Sequence, residues 1–109
     1  MTKGRVVYAV PHTVFLMVKS ICGDYERRRL ILRRGEASPE VAEELQRLID
    51  VIDEALTIVE DGIRMEMLRD IIYCRGYDSS MASPLLSKNA YYNRKRRIVH
   101  DVAIALHLM

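Results

Sequence analysis

Apolar residues recur along this chain at helical rather than strand spacing, and they divide it into a handful of segments. A short β-branched opening (Val6, Val7, Tyr8, Val10) reads either as an extended arm or as the lead-in to a helix. Pro11 then suits a first helical turn, and Val14, Val18, Ile21, Tyr25 and Leu32 fall on one face. This predicts one long helix ending at Gly35, with Gly23 weakening its middle by about 1 kcal/mol relative to Ala. Arg27, Arg28, Arg29, Arg33 and Arg34 crowd its last turns, where the helix dipole favours cations.

Ser38-Pro39-Glu40 is a strong start signal, with a capping hydroxyl, a proline at the first position and an acid in the first turn. Val41, Leu45, Leu48, Ile52, Ala55 and Val59 follow at alternating spacings of four and three, widened by Ile49, Leu56 and Ile63. That repeat is the seam of a coiled coil or a helical hairpin. The polar side carries Glu40, Glu43, Glu44, Asp50, Asp53 and Glu54, which would complement the arginines of the first helix in an antiparallel pair. Gly62 marks a kink or boundary. Met65, Leu68, Ile71 and Ile72 then line a further helix, with Gly76 as its stop and YDSSMASP as the loop beyond.

The last segment starts at Ser87, a good N-cap, although Ser83-Pro84 offers a competing start one turn earlier. As a helix it turns Tyr91, Ile98, Val102, Ala105 and Leu106 inward, with the Lys95 stem along the same face. Asn89, Tyr92, Asn93, Arg96 and His100 point the other way, flanked by Arg94 and Arg97. Nothing reads as a sheet. The expected fold is all-α, an antiparallel helical hairpin followed by a C-terminal helix-turn-helix-like unit, with four to five helices. The expected organisation is a single domain, with arm and hairpin over 1–62 and the second unit over 63–109.

Charge changes this picture more than composition does. The net +2 over 109 residues conceals a basic stretch at 1–35, an acidic one at 36–66 with ten acids against two arginines, and a second basic stretch at 67–109. Local fields, rather than the overall balance, are what a partner would feel. The longest uncharged stretch, Val6 to Val18, is too short to span a bilayer and lacks a signal-peptide cleavage site, which points to a cytoplasmic protein. Cys22 and Cys74 are expected as two buried thiols.

Catalytic patterns are lacking: there is no Gly-rich phosphate loop, G-x-S-x-G or C-x-x-C. His100 and His107 are two helical turns apart, and with Cys74 and Asp101 they match no usual zinc spacing. The acids of the heptad helix suit a solvated face, and Met65, Met67 and Met81 suit gap-filling. The expectation is a non-enzyme with no cofactor and no metal.

From Ser79 to His100 there are five basic residues and no acid. Arginine and lysine neutralise phosphates with counterion release, and Asn and Arg pair with adenine and guanine edges. A serine at a helix N-terminus sets a hydroxyl and free N–H groups beside a phosphate. The order of residues is Ser87, Lys88, Asn89, Ala90, Tyr91, Tyr92, Asn93, Arg94, Lys95, Arg96, Arg97, then an apolar tail of Val102, Ala103 and Leu106. Preceded by Tyr73-Cys74-Arg75-Gly76, this resembles the helix-turn-helix of phage late-transcription regulators of the RinA and ArpU type, which look like region four of bacterial sigma factors. The resemblance covers residues 63–108.

That resemblance implies a small phage or prophage regulator acting in a bacterial host cell. Its implied DNA-binding residues are Ser87, Lys88, Asn89, Tyr92, Asn93, Arg94, Arg96 and Arg97. The implied partners are double-stranded DNA and RNA polymerase, with a homodimer through the hairpin. The chain departs from the pattern at SSMASPLL, where Pro84 either shortens the supporting helix or begins a single long helix through Leu108. The alternative reading is a helical protein–protein interaction module that uses the acidic helix at 39–61 or the arginines at 27–34. Pairing of Arg94, Arg96 or Arg97 with Glu43, Glu44 or Glu54 would favour that alternative.

Overall fold

A computed structural model describes residues 8–77 and 86–109. Among the described residues there are five helices and no strand: α1 (His12–Gly23), α2 (Tyr25–Arg34), α3 (Pro39–Leu56), α4 (Asp61–Tyr73) and α5 (Lys88–Ala105). The fold is all-α, as the periodicity indicates. The β-branched residues Val6 and Val7, together with Met81 and Pro84, lie outside the described residues.

The long first helix is in fact two. Asp24 interrupts it with φ −93° and ψ 0°, directly after Gly23. The physical reason is local. Glycine is a poor helix former, and an aspartate is unfavourable at the C-terminal end of one helix but favourable at the N-terminal end of the next. The Asp24 carboxylate is gripped by Arg27 at 3.1 and 2.7 Å. Arg28 is buried and donates to the Ile21 carbonyl at 2.6 Å, so it satisfies an end group of α1. Gly35 closes α2 in the left-handed region at φ +66°, with the Glu36 N–H reaching the Ile31 carbonyl.

The signal at Ser38 is met in full: its hydroxyl accepts from the Val41 N–H, and Pro39 opens α3. α2 packs antiparallel along α3, with Tyr25 beside Asp53 and Arg33 beside Gln46. The apolar seam of α3 is buried only in its second half, at Ile49, Ile52, Ala55 and Leu56. Val41 stays 51% exposed, because the first turns of α3 run past the end of the shorter α2. The expected pairing of α2 arginines with α3 acids does not occur among the described residues. Arg27 and Arg28 turn back to Asp24, Arg34 lies near Glu36, and Glu44 takes Arg47 of its own helix.

Residues 57–60 form the boundary that Gly62 suggested, and Arg64 donates to the Val59 carbonyl across it. α4 ends at Cys74, which adopts the left-handed conformation at φ 54°, two residues before the expected stop at Gly76. Cys74 is exposed and not buried as expected, while Cys22 is buried in the core. α5 starts at Lys88 under a Ser87 cap, so no single helix runs from Pro84. The core joins Val18 of α1, Ile52 of α3, Ile63, Met67 and Ile71 of α4, and Tyr91, Ile98 and Val102 of α5. Val99 and Ala103 are buried where Ala105 and Leu106 were expected, because α5 is flanked by α3 on one side and by α1 and α4 on the other.

Candidate nucleic-acid interface

The basic helix α5 is held from beneath by one buried acid. Asp70 of α4 is 1% exposed, and three donors converge on it. The Lys95 ammonium reaches Oδ1 at 3.1 Å, the Gly76 N–H reaches the same oxygen at 2.7 Å, and the Tyr91 hydroxyl reaches Oδ2 at 2.8 Å. Burial alone would push the Asp70 carboxyl up; the Gly76, Tyr91 and Lys95 donors together hold it below the ordinary aspartate value. The same burial, reinforced by the bond to Asp70, raises the Tyr91 phenol. Lys95 is thereby committed to the fold.

A second joint lies beside the first. Gly76 has φ +77°, and a Cβ there would stand 3.1 Å from the Tyr92 hydroxyl. The Tyr77 N–H donates to that hydroxyl at 2.8 Å, and the Tyr77 hydroxyl donates to the Leu86 carbonyl at 3.2 Å. Tyr91 packs edge-on against Tyr77 and Tyr92. The tyrosine-to-glycine segment at 73–76 thus fixes the end of α4 against the start of α5.

Above this base, the sequence-predicted residues separate. Ser87 is exposed and caps α5, its Oγ accepting from Ala90 N–H at 3.2 Å. Lys88, Asn89, Asn93, Arg94 and Arg96 are all exposed on the first turns. Among the described residues, Lys88, Arg94 and Arg96 make no ion pair with an acid, and Arg96 donates to Asn93 Oδ1 at 2.5 Å. Tyr92 is half-buried with its hydroxyl engaged, so it anchors as much as it presents. Arg97 lies 3.6 Å from Asp101 and sits over the Tyr8 ring, while Tyr8 also meets the His100 ring edge-on. Tyr8 therefore lies against the outward face at its third and fourth turns, and among the described residues Lys88, Asn89, Asn93, Arg94 and Arg96 ahead of it are exposed.

The acids of α3 lie elsewhere. Glu40, Glu43, Glu44, Asp50 and Glu54 border a groove of about 810 Å³ between α3 and the second half of α5, floored by Val51, Ala55, Ile58 and Ala105. Arg97 and Asp101 reach its edge, yet neither Arg94, Arg96 nor Arg97 pairs with an acid of α3 among the described residues. Among those residues no group of three or more His, Cys, Asp or Glu is placed to hold a metal ion, and no helix is long and apolar enough to cross a membrane.

Sequence reasoning missed two residues that build this site, Asp70 and Tyr8, and a third, Arg28, that joins α1 to α2. Asp70 follows Ile63 and Met67 at core spacing, and an acid in register with an apolar stripe was the available signal. Its partner was visible in the Lys95 stem on the inward face. Arg28 looked like one more surface arginine, and Tyr8 like part of an arm; no local pattern betrays either role. No protein-family model, curated protein or solved structure matches the chain.

Proposed function

We propose that the protein is a DNA-binding regulator that places the first turns of α5 in the major groove. The observation that carries this reading is the exposed row of Lys88, Asn89, Asn93, Arg94 and Arg96, without acid partners among the described residues, on a helix held by the buried Asp70. In this reading Asn89, Asn93 and Arg96 face base edges. Lys88, Arg94 and Arg97 take flanking phosphates, and Ser87 with the free N–H groups of the helix start takes another. The similarity of this stretch to phage late-transcription regulators supports the same role and makes control of transcription the use to which the binding is put.

Fluorescence anisotropy with duplex from the flanking genome, titrated against salt, tests it. Three phosphates neutralised by Lys88, Arg94 and Arg97 give a log–log salt slope of about −2.7. Arg96→Ala with Arg97→Ala should weaken binding strongly and flatten the slope by about 1. Duplex affinity no better than that of a neutral protein at low salt would sink the proposal.

A further inference from the structure

Tyr92, Lys95, Arg96 and Val99 recur at spacings of three and four, so they share one side of α5. A cavity of about 500 Å³ separates that side from residues 8–15, where Tyr8, His12 and Phe15 form the facing wall. This volume is in the range of small-molecule sites, and the lining is mainly aromatic and aliphatic. Its charged groups are of one sign. No acid lines it, in contrast to the groove beside α3.

The α5 wall is fixed from behind. The Tyr92 hydroxyl accepts from the Tyr77 N–H at 2.8 Å, and the Lys95 ammonium donates to Asp70 at 3.1 Å. Groups held in this way lose little freedom when a ligand arrives. Arg96 differs, because it is exposed and bonds the neutral amide of Asn93. Its positive charge is therefore available, whereas that of Lys95 is offset by Asp70. α1 also begins at this cavity, with His12. Its N-cap is Pro11, which gives no side-chain hydrogen bond, and its first turn carries no acid. The positive end of that helix adds to the field of Arg96.

We propose that this cavity binds a small planar aromatic anion, with its ring against Phe15, Tyr92 and Val99 and its anionic group on the Arg96 guanidinium. The same chemistry has two sources, an aromatic carboxylate or a nucleoside monophosphate. Occupancy takes Arg96 away from the duplex and so weakens DNA binding. That consequence rests on the DNA reading, whereas the binding itself does not.

The chain has no tryptophan, so the emission of added indole-3-acetate reports its own binding to the full chain without DNA. The expected result is saturation below about 1 mM. Indole-3-ethanol, its neutral counterpart, should bind roughly tenfold more weakly, and Arg96→Gln should erase that difference. Circular dichroism checks that the variant is folded. Thymidine monophosphate should displace the indole, and whichever of the two anions binds more tightly gives the source. Emission that fails to saturate overturns the proposal, as does equal binding of acid and alcohol, or a preference for the acid that survives Arg96→Gln. With duplex present, saturating indole-3-acetate should lower affinity by roughly tenfold. A duplex that binds but is indifferent to the ligand overturns the coupling. Absence of any duplex affinity removes the DNA reading and leaves the result for the cavity standing.

Discussion

At the scale of single residues, Asp70 carries the most consequence, since its carboxylate is the shared acceptor for one cation, one hydroxyl and one backbone N–H. Replacing it by Ala strands all three donors in or near the core, and breaking a buried pair of this kind costs about 3–5 kcal/mol. Tyr91→Phe removes a single bond to the charged acceptor and should cost about 1.5–3 kcal/mol by urea unfolding. The direction of its pKa shift also gives the sign of an acid response. The folded carboxyl is held below the ordinary value of 3.8, so its stabilisation is intact above that value and is lost as pH falls through the lower folded value. At the other end of the scale the Cys22 thiol is pushed up by burial to about 12, and Tyr25 is raised to about 12 by burial and its bond to Asp53. Their unfolded counterparts ionise near 9 and 10, so stability should decline from about pH 9 upward in thermal melts.

At the scale of elements, the two serine caps allow a paired comparison. Ser38→Ala and Ser87→Ala each remove a hydroxyl that accepts from the third helical N–H, and each should cost about 1 kcal/mol. Only the second should also reduce duplex affinity, because only α5 meets phosphate in the proposed complex. Gly76→Ala combines a left-handed backbone with a methyl 3.1 Å from the Tyr92 hydroxyl, and should destabilise by about 1–3 kcal/mol in denaturant titrations. The caps, the α3 start and, of the inward face of α5, Tyr91, Ile98 and Val102 were legible beforehand because each is set by short-range spacing and stereochemistry. The division of α1 from α2 was half legible, since Gly23 was noticed but the pull of Arg27 and Arg28 on Asp24 was not. The arginine–acid pairing expected across α2 and α3 failed because nearer acids lay in sequence, at Asp24 and Glu36. Long-range placements such as Tyr8 against Arg97 depend on tertiary packing, and no periodicity encodes them.

At the scale of the whole molecule, 51 × 32 × 20 Å in extent, the acidic and basic stretches of sequence become separate surfaces. The acids border the α3–α5 groove, and the open cations gather at the start of α5 and along α2. Such segregation steers a polyanion to one side and holds it off the other, with a range set by ionic strength. Association rates with duplex should therefore fall steeply with added salt in stopped-flow measurements, more steeply than dissociation rates rise. Removing Lys88 and Arg94 together should flatten that dependence while leaving the melting temperature within a few degrees, since neither residue bonds to the core.

The unequal fates of the two cysteines make the natural chain its own reporter. Cys22 lies 1% exposed with its thiol held protonated, whereas Cys74 stands exposed at the end of α4, with the Lys19 ammonium 3.6 Å from its sulfur. A maleimide dye should attach at one site in the native protein and at two after denaturation. That single label would sit two residues from Gly76, on the joint through which Asp70 grips α5. Its fluorescence would then follow the seating of the basic helix in real time, without a single substitution in the chain.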